Sequence, residues 1–308
     1  MAFLIVILAL ILLLLSAGAI TFFMACRRRK EYPWHNPEGL KNTPYEKHIE
    51  LISYASNWLK AHNPQDIYTT SEDGLRLHGL WIPAKNPKGT ILLAHGYRST
   101  MLVDFGKVLD MYHKEGMNLL LPQQRSHGES EGKYITFGVK ESRDMLQWIA
   151  YHNQNLSECG VFISGLSMGA STVMYMLDQK LPENVKAAIC DCGFSSPAEI
   201  IAKVFRDTVH IPAGIFVRCA DLFARLFAGF SLYEKDSRET LKHNKLPILI
   251  AHGLADDFVP CIMSQEAFSV CNGEKYLILA KDAGHGYSYM YAEDEYYGRI
   301  TELIRDKL

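Results

Sequence analysis

The chain has 308 residues, 48% hydrophobic and 21% charged, with 32 basic against 34 acidic side chains and a formal net charge of -2. That much apolar mass excludes a disordered polymer and a small disulfide-stapled module. Arg27, Arg28, Arg29 and Lys30 are the only charged residues among the first thirty, which leaves a body at -6 with no basic face to neutralise phosphates, so no nucleic-acid partner is expected.

Residues 2 to 25 contain only Ser16, Gly18 and Thr21 outside the apolar set. As a helix at about 1.5 Å per residue they reach about 36 Å, slightly beyond the roughly 30 Å hydrocarbon core of a bilayer, so one span with modest tilt is expected. A cleaved signal peptide is the alternative; Ala17-Gly18-Ala19 supplies small residues for it, but no basic residue precedes the apolar run. The basic tetrad on the C-terminal flank directs the body to the cytoplasm, giving a single-pass cell-membrane protein held in the bilayer through residues 2 to 25. Tyr32 and Trp34 are candidates for the headgroup level, and Cys26 is a weak candidate for acylation against a plain structural role. Seven scattered cysteines fit reduced thiols rather than a disulfide framework, and Cys190 and Cys192 are spaced too closely for the usual zinc pair, so both are expected to pack at a strand end.

Pro33, Pro37, Gly39 and Pro44 mark a linker over 31–44, followed by a helix over about 45–61 from Ile49, Ile52 and Leu59. Residues 67–70 and 75–82 read as a hairpin. Short apolar strands then alternate with helical stretches: strands are expected at 90–94, 118–121, 161–164, 185–190, 247–251 and 275–280, with helices such as 139–152 and 264–270 between them. This alternation defines an α/β fold with a mostly parallel sheet covered on both faces, whose ligand site falls at the carboxyl ends of the strands. Residues 193–243 break the alternation with apolar positions such as Ile200, Phe205, Phe216 and Leu226, and read as two or three helices placed to act as a lid. The chain thus divides into an anchor with its basic flank (1–30), a linker and helix (31–64), and a main domain (65–308).

Gly165-Leu166-Ser167-Met168-Gly169 follows the strand at 161–164 and precedes a helical run, the context of a nucleophile elbow in which flanking glycines lift a serine hydroxyl over the sheet edge. Gly128-Glu129-Ser130-Glu131-Gly132 has the same spacing without the strand or the helix, so context selects Ser167. A serine needs a base, and the base needs an orienting acid, in the chain order Ser, acid, His. Of twelve histidines only His285 lies beyond the strand at 247–251 and its loop, in Gly284-His285-Gly286 after the last strand. Asp256 and Asp257 both lie in the loop after 247–251, and spacing does not separate them; Asp178 and Asp221 fall in helical patterns and are expected to be solvated.

These motifs, together with Asp73-Gly74, Trp81-Ile82-Pro83, His95-Gly96-Tyr97, Arg125-Ser126-His127-Gly128-Glu129-Ser130 and His252-Gly253-Leu254-Ala255-Asp256-Asp257-Phe258-Val259-Pro260, closely resemble the α/β-hydrolase fold family over about residues 67–307, in particular a membrane-tethered bacterial branch similar to serine aminopeptidase-like hydrolases. The resemblance implies Asp256 as the acid, with Asp257 as fallback, and an oxyanion hole built from the backbone N–H groups of Tyr97 and Met168. His95 and His127 become supporting residues. Gln123 and Ser126 depart from the family's usual Asp and Gly. The implied activity is a serine hydrolase acting on an acyl ester, thioester or amide through an acyl-enzyme, needing no metal or organic cofactor. The lid and anchor favour a small-molecule or lipid-like acyl substrate. An acyltransferase with the same triad, and a non-catalytic membrane-anchored binding protein that retains the fold, are the competing readings.

Overall fold

The computed structural model describes residues 1–308 except Pro33, His35 and Pro44, so those two proline signals of the expected linker lie outside the described residues. Eight strands form one sheet: β1 (Gln65–Thr70), β2 (Arg76–Ile82), β3 (Gly89–Ala94), β4 (Met117–Pro122), β5 (Val161–Leu166), β6 (Val185–Asp191), β7 (Ile248–Gly253) and β8 (Lys275–Ala280). Their order is β1-β2-β4-β3-β5-β6-β7-β8. The β1–β2 hairpin and the β2–β4 pair are antiparallel, and every other neighbour is parallel. Every residue of β3, β4, β5 and β7 is buried, as apolar runs without alternation require when both faces are covered.

The helices, in chain order, are α1 (Ala2–Cys26), α2 (Ile49–Ala61), α3 (Met101–Asp104), α4 (Gly106–Lys114), α5 (Glu141–Asn155), α6 (Met168–Met176), α7 (Pro197–Val209), α8 (Gly214–Phe223), α9 (Ser237–Thr240), α10 (Cys261–Val270), α11 (Ser288–Tyr291) and α12 (Glu293–Lys307). One core layer joins α2, α4 and α12 to Ile91, Leu93, Leu119 and Phe162 of the sheet; the other joins α5, α6 and α10 to Leu92, Leu120 and Ile163. Alternate residues of a strand thus feed opposite cores.

A third apolar cluster lies outside this sandwich, where α7 and α8 of the 193–243 insertion meet the end of α1 and the segment around Ile135 and Phe137. Ser196 caps α7 by accepting the Glu199 amide at 3.2 Å, with Pro197 at the first helical position. The chain turns at His210, whose φ of 60° ends α7, and α8 runs on through a π-helical turn, Ala224–Ala228, to Gly229.

Helix α1 is long and apolar enough to cross a membrane. It is exposed through Leu13, but Gly18, Phe22 and Cys26 are buried against the insertion. Its end is stitched to the body: the Cys26 carbonyl accepts the Ile135 amide at 2.7 Å, and Arg28 donates to the Ser130 carbonyl at 2.7 Å. Two sequence expectations change at this point. Trp34 is 5% exposed and packs edge-on to Tyr32 and Tyr45, in the α2 layer rather than at a headgroup level. Asp221 is buried and accepts the Leu232 amide at 2.6 Å and the Ser231 hydroxyl at 2.8 Å, bracing the end of the insertion instead of facing solvent. Asp178 is exposed, in the turn after α6, and pairs with Lys235.

Candidate active site

The carboxyl ends of β3, β5, β6, β7 and β8 bring their loops to one edge of the sheet, and register does much of the positioning. Ala94 of β3 pairs with Gly165 of β5, and Leu166 of β5 pairs with Asp191 of β6. The chain then turns from β5 into α6 at Ser167, which has φ 55° and ψ -118°, a conformation that costs a non-glycine residue energy and persists only where packing enforces it. The packing is explicit. A Cβ on Gly165 would stand 2.2 Å from the Gly169 carbonyl oxygen, and one on Gly169 would stand 1.9 Å from the Ala94 carbonyl oxygen. Only glycine fits either place, which is the physical content of the pentapeptide.

Ser167 and His285 lie 118 positions apart in sequence, yet Ser167 Oγ and His285 Nε2 are 2.9 Å apart. On the far side of the ring, His285 Nδ1 lies 2.7 Å from Asp256 Oδ2. A carboxylate only accepts, so Nδ1 carries the proton and Nε2 is left free to accept from the serine hydroxyl. The remaining Asp256 oxygen, Oδ1, accepts the amides of Phe258 and Val259, each at 2.9 Å. Asp257, its neighbour, is exposed and sends its side chain to none of these groups. Burial alone would raise the Asp256 carboxyl; the hydrogen bonds from His252 and His285, the His285 charge and the Val259 amide outweigh it and hold the group well below the usual carboxylate range.

His252 was legible only as part of a motif. Its Nε2 lies 2.9 Å from the Val259 carbonyl and 3.1 Å from Asp256 Oδ2, while its Nδ1 meets the Ser264 hydroxyl at 2.7 Å. A carbonyl cannot donate, so Nε2–H is shared between Val259 and Asp256 and fixes the acid loop from beneath.

Two further carboxyls were not singled out by sequence. Asp104, at the end of α3, accepts the Gly96 amide at 2.5 Å and the Ser99 hydroxyl at 2.6 Å, which bends the loop after β3 toward the serine. Burial pushes its pKa up to about 6 even with those donors. Asp191 ends β6; its carbonyl accepts the Ser167 amide at 2.8 Å and its Oδ1 accepts the Ser288 hydroxyl at 2.7 Å. No motif flags either residue, because both brace loops through backbone and serine hydroxyl groups.

Tyr97 follows Gly96 in the loop after β3, and Met168 follows Ser167 at the start of α6. Gly96 is in contact range of Ser167, since a Cβ there would lie 3.4 Å from the serine Cβ. Among the described residues, the amides of Tyr97 and Met168 donate to no protein backbone acceptor. His95 and His127 hold this loop. The Gln124 amide donates to His95 Nε2 and the Arg98 amide to His127 Nε2, each at 3.0 Å. Burial lowers their pKa values to about 4 and about 3 respectively, so both stay neutral acceptors. Gln123 closes its own turn by accepting the Glu129 amide at 2.6 Å, and Ser126 adopts the left-handed φ of 64° expected of the glycine it replaces. The second serine pentapeptide is structural: Ser130 is fully buried and donates to the Gln123 carbonyl at 2.6 Å.

Cys190 and Cys192 are both buried at the end of β6. The Cys192 thiol, Asp256 and His285 offer ligand atoms within 4.8 Å of one another. The Asp256 and His285 atoms already bond each other, and burial raises the thiol pKa well above its ordinary value, so this trio is organised as a hydrogen-bonded pair over a neutral thiol rather than as a ligand set.

Two cavities meet at Ser167. One, of about 460 Å³, mixes polar groups such as His48, Asp104 and His285 with apolar ones such as Leu51, Val103 and Ile135. The other, of about 550 Å³, is lined mainly by apolar side chains of α7, α8 and α1. Arg29, Tyr97, Arg98, Ser167 and Phe258 line both.

The sheet order, the strained serine turn and the loop positions together define the α/β-hydrolase fold. Residues 85–218 match the family model described as serine aminopeptidase, S33, a stretch that contains the Gly96 loop and the Ser167 turn and ends before Asp256. The uncharacterized protein YqkD of Bacillus subtilis is 25% identical over 232 residues, spanning 75% of this chain and 76% of its own. The uncharacterized protein YfhR of Escherichia coli K12 is 25% identical over 247 residues, 77% of this chain and 80% of its own. Among solved structures, the Pyrococcus furiosus esterase Pf2001 superposes with a TM-score of 0.66 at 23% identity, covering 81% of this chain and 94% of that one. The Exiguobacterium antarcticum esterase EaEST gives a TM-score of 0.58 at 16% identity, covering 78% and 100%. The chain has the α/β-hydrolase fold, and its likeness to the family model and to these relatives supports a place in that family.

Proposed function

We propose that this chain is a serine hydrolase held in the membrane by α1. In this reading Ser167 Oγ attacks an acyl carbonyl as His285 Nε2 takes its proton. Asp256 keeps the imidazole in the required tautomer and stabilises its charged form. The N–H groups of Tyr97 and Met168 receive the negative oxygen of the tetrahedral intermediate. His285 then protonates the leaving group, and water releases the acyl-enzyme by the same steps in reverse order. The observation that carries the reading is the unbroken relay of 2.9 Å and 2.7 Å linking three side chains from three separate loops. The apolar cavity beside Ser167 favours an acyl ester among the possible carboxylic derivatives.

The test is covalent labelling by a fluorophosphonate in wild type and in Ser167→Ala. Labelling of wild type with loss in the variant is expected. Labelling that persists in Ser167→Ala would overturn the assignment, and an unlabelled, folded wild type would favour a binding protein. For α1 we propose a retained span with the body in the cytoplasm, on the strength of the basic tetrad behind it. An N-terminal tag that reacts with an impermeant reagent on intact cells is the expected result; a tag reachable only after lysis would contradict it.

A further inference from the structure

The membrane segment and the apolar cavity are not independent features. Residues Ala2 to Leu13, the wholly exposed part of α1, account for about 18 Å at about 1.5 Å per residue, well short of the roughly 30 Å hydrocarbon core. A full span therefore includes the stretch near Gly18 and Thr21 that packs on α8. The two helices run in the same direction, since Gly18 meets Cys219 and Ala220 whereas Phe23 meets Phe227. The turn between α7 and α8 thus points toward the exposed, N-terminal part of α1. That turn suits hydrocarbon. Thr208 to Val217 contains no Asp, Glu, Lys or Arg, and Val209, Ile211 and Ile215 are 46%, 42% and 50% exposed.

The apolar cavity runs between these places. Its lining takes in Val209, Ile211 and Phe216 of the insertion's tip as well as Ser167, with Arg29 and Arg98 as its charged members. One wall is α1 itself, through Ala17, Ile20, Thr21 and Met24. Resting on the serine-hydrolase reading, we propose that this cavity is an acyl-chain site open to the bilayer, so that the enzyme takes long-chain acyl esters of membrane lipids directly from the leaflet. The second cavity at Ser167, which carries His48 and Asp104 beside its apolar lining, holds the leaving group. In the reaction, the bond from Ser167 Oγ to the acyl carbon forms and the lipid's ester C–O bond breaks. The serine proton passes through His285 to the departing alcohol, and water then restores the serine and frees the fatty acid. The membrane helix is, on this account, part of the substrate site.

The experiment uses the full chain in phospholipid nanodiscs, with acetyl, octanoyl and palmitoyl p-nitrophenyl esters. Ala17→Trp fills the cavity from the α1 wall. Leu8→Trp adds the same ring on the exposed part of α1, outside the cavity. We expect wild type to favour the palmitoyl ester, and Ala17→Trp to lower the palmitoyl-to-acetyl ratio of kcat/KM by about tenfold, the worth of about two buried methylenes. Leu8→Trp should keep the wild-type ratio. A hexadecyl fluorophosphonate carrying a terminal diazirine provides a second measurement: after labelling Ser167, photolysis should cross-link α1 near Ala17 to Met24, or the insertion near Ile200 to Phe216. A labelled wild type without chain-length preference, a ratio unmoved by Ala17→Trp, or cross-links confined to other segments would each overturn the bilayer-fed site alone. A folded wild type that neither cleaves the acetyl ester nor takes the probe would overturn the hydrolase reading beneath it.

Discussion

Gly18 of α1 and Cys219 of α8 are in such close contact that a Cβ on Gly18 would stand 2.3 Å from the Cys219 Cβ and 2.8 Å from its carbonyl carbon. Backbone cannot yield as a flexible side chain does, so Gly18→Val must push the helices apart, at a cost of about 1–3 kcal/mol in their docking. The body's cores do not depend on this contact. We therefore expect unchanged near-UV circular dichroism and faster tryptic cleavage within Arg27 to Lys30. An unchanged cleavage rate would show that α1 and α8 are not in contact.

The adjacent carboxylates make a paired comparison. Asp256→Asn keeps the shape of the side chain but removes the charge that selects the His285 tautomer, and kcat for ester hydrolysis should fall by about 10⁴-fold, the scale seen when a triad acid is neutralised. Asp257→Asn alters an exposed side chain and should stay within about twofold of wild type, since a surface change of this kind is worth at most about 0.5 kcal/mol. Steady-state kinetics on one short ester checks both; comparable losses in the two variants would contradict Asp256 as the acid that alone orients His285.

The contrast between these two residues shows what the sequence could carry. Strand positions were readable to within a few residues because β3, β4, β5 and β7 are apolar runs buried on both faces. The elbow was readable because the glycines it needs are forced by contacts of 1.9 Å and 2.2 Å. Asp104 and Asp191 were not readable: Asp104 bonds the backbone of Gly96, eight residues earlier, Asp191 that of Ser167, and neither pairing leaves a spacing pattern. The burial of Trp34 and Asp221 was likewise misread, since residue type states a preference for solvent or membrane and tertiary contact decides it. The docking of α1 against α8 is also tertiary; an apolar run long enough to span a bilayer looks the same whether or not its last turns touch protein.

His127 supplies a pH prediction. Burial lowers its folded pKa to about 3, whereas the unfolded side chain titrates near about 6.5. Below pH about 6.5 the unfolded state binds the proton that the folded state refuses, so the stability due to the neutral ring is present above that pH and is lost as pH falls toward the folded value. His127→Gln keeps an acceptor for the Arg98 amide without a titrating ring. Its stability relative to wild type should therefore improve by about 2 kcal/mol between pH 7.5 and pH 5. Urea midpoints at the two pH values test this, and parallel pH dependences in the two proteins would refute it.

Tyr97 offers a milder probe of the loop beside Ser167. Its hydroxyl donates to the Ala25 carbonyl at 2.6 Å, while its ring stacks on Phe137 at 5.1 Å. Tyr97→Phe keeps the ring and removes one hydrogen bond worth about 0.5–1.5 kcal/mol. The rate of fluorophosphonate labelling should fall between about twofold and about tenfold, with little change in the melting temperature. A loss of global stability without a change in labelling rate would assign the bond to folding instead.

Arg98 reaches from the same loop to the carbonyls of Met24 and Arg27, at 2.8 Å and 3.1 Å. Those acceptors lie at the end of α1, so a chain cleaved after Arg27 would keep Ser167, Asp256 and His285 and lose both the clasp for Arg98 and the α1 wall of the apolar cavity. Retention and removal of the leading helix therefore have opposite consequences for the loop beside Ser167: one leaves the Arg98 guanidinium held, the other strips it of these carbonyl partners.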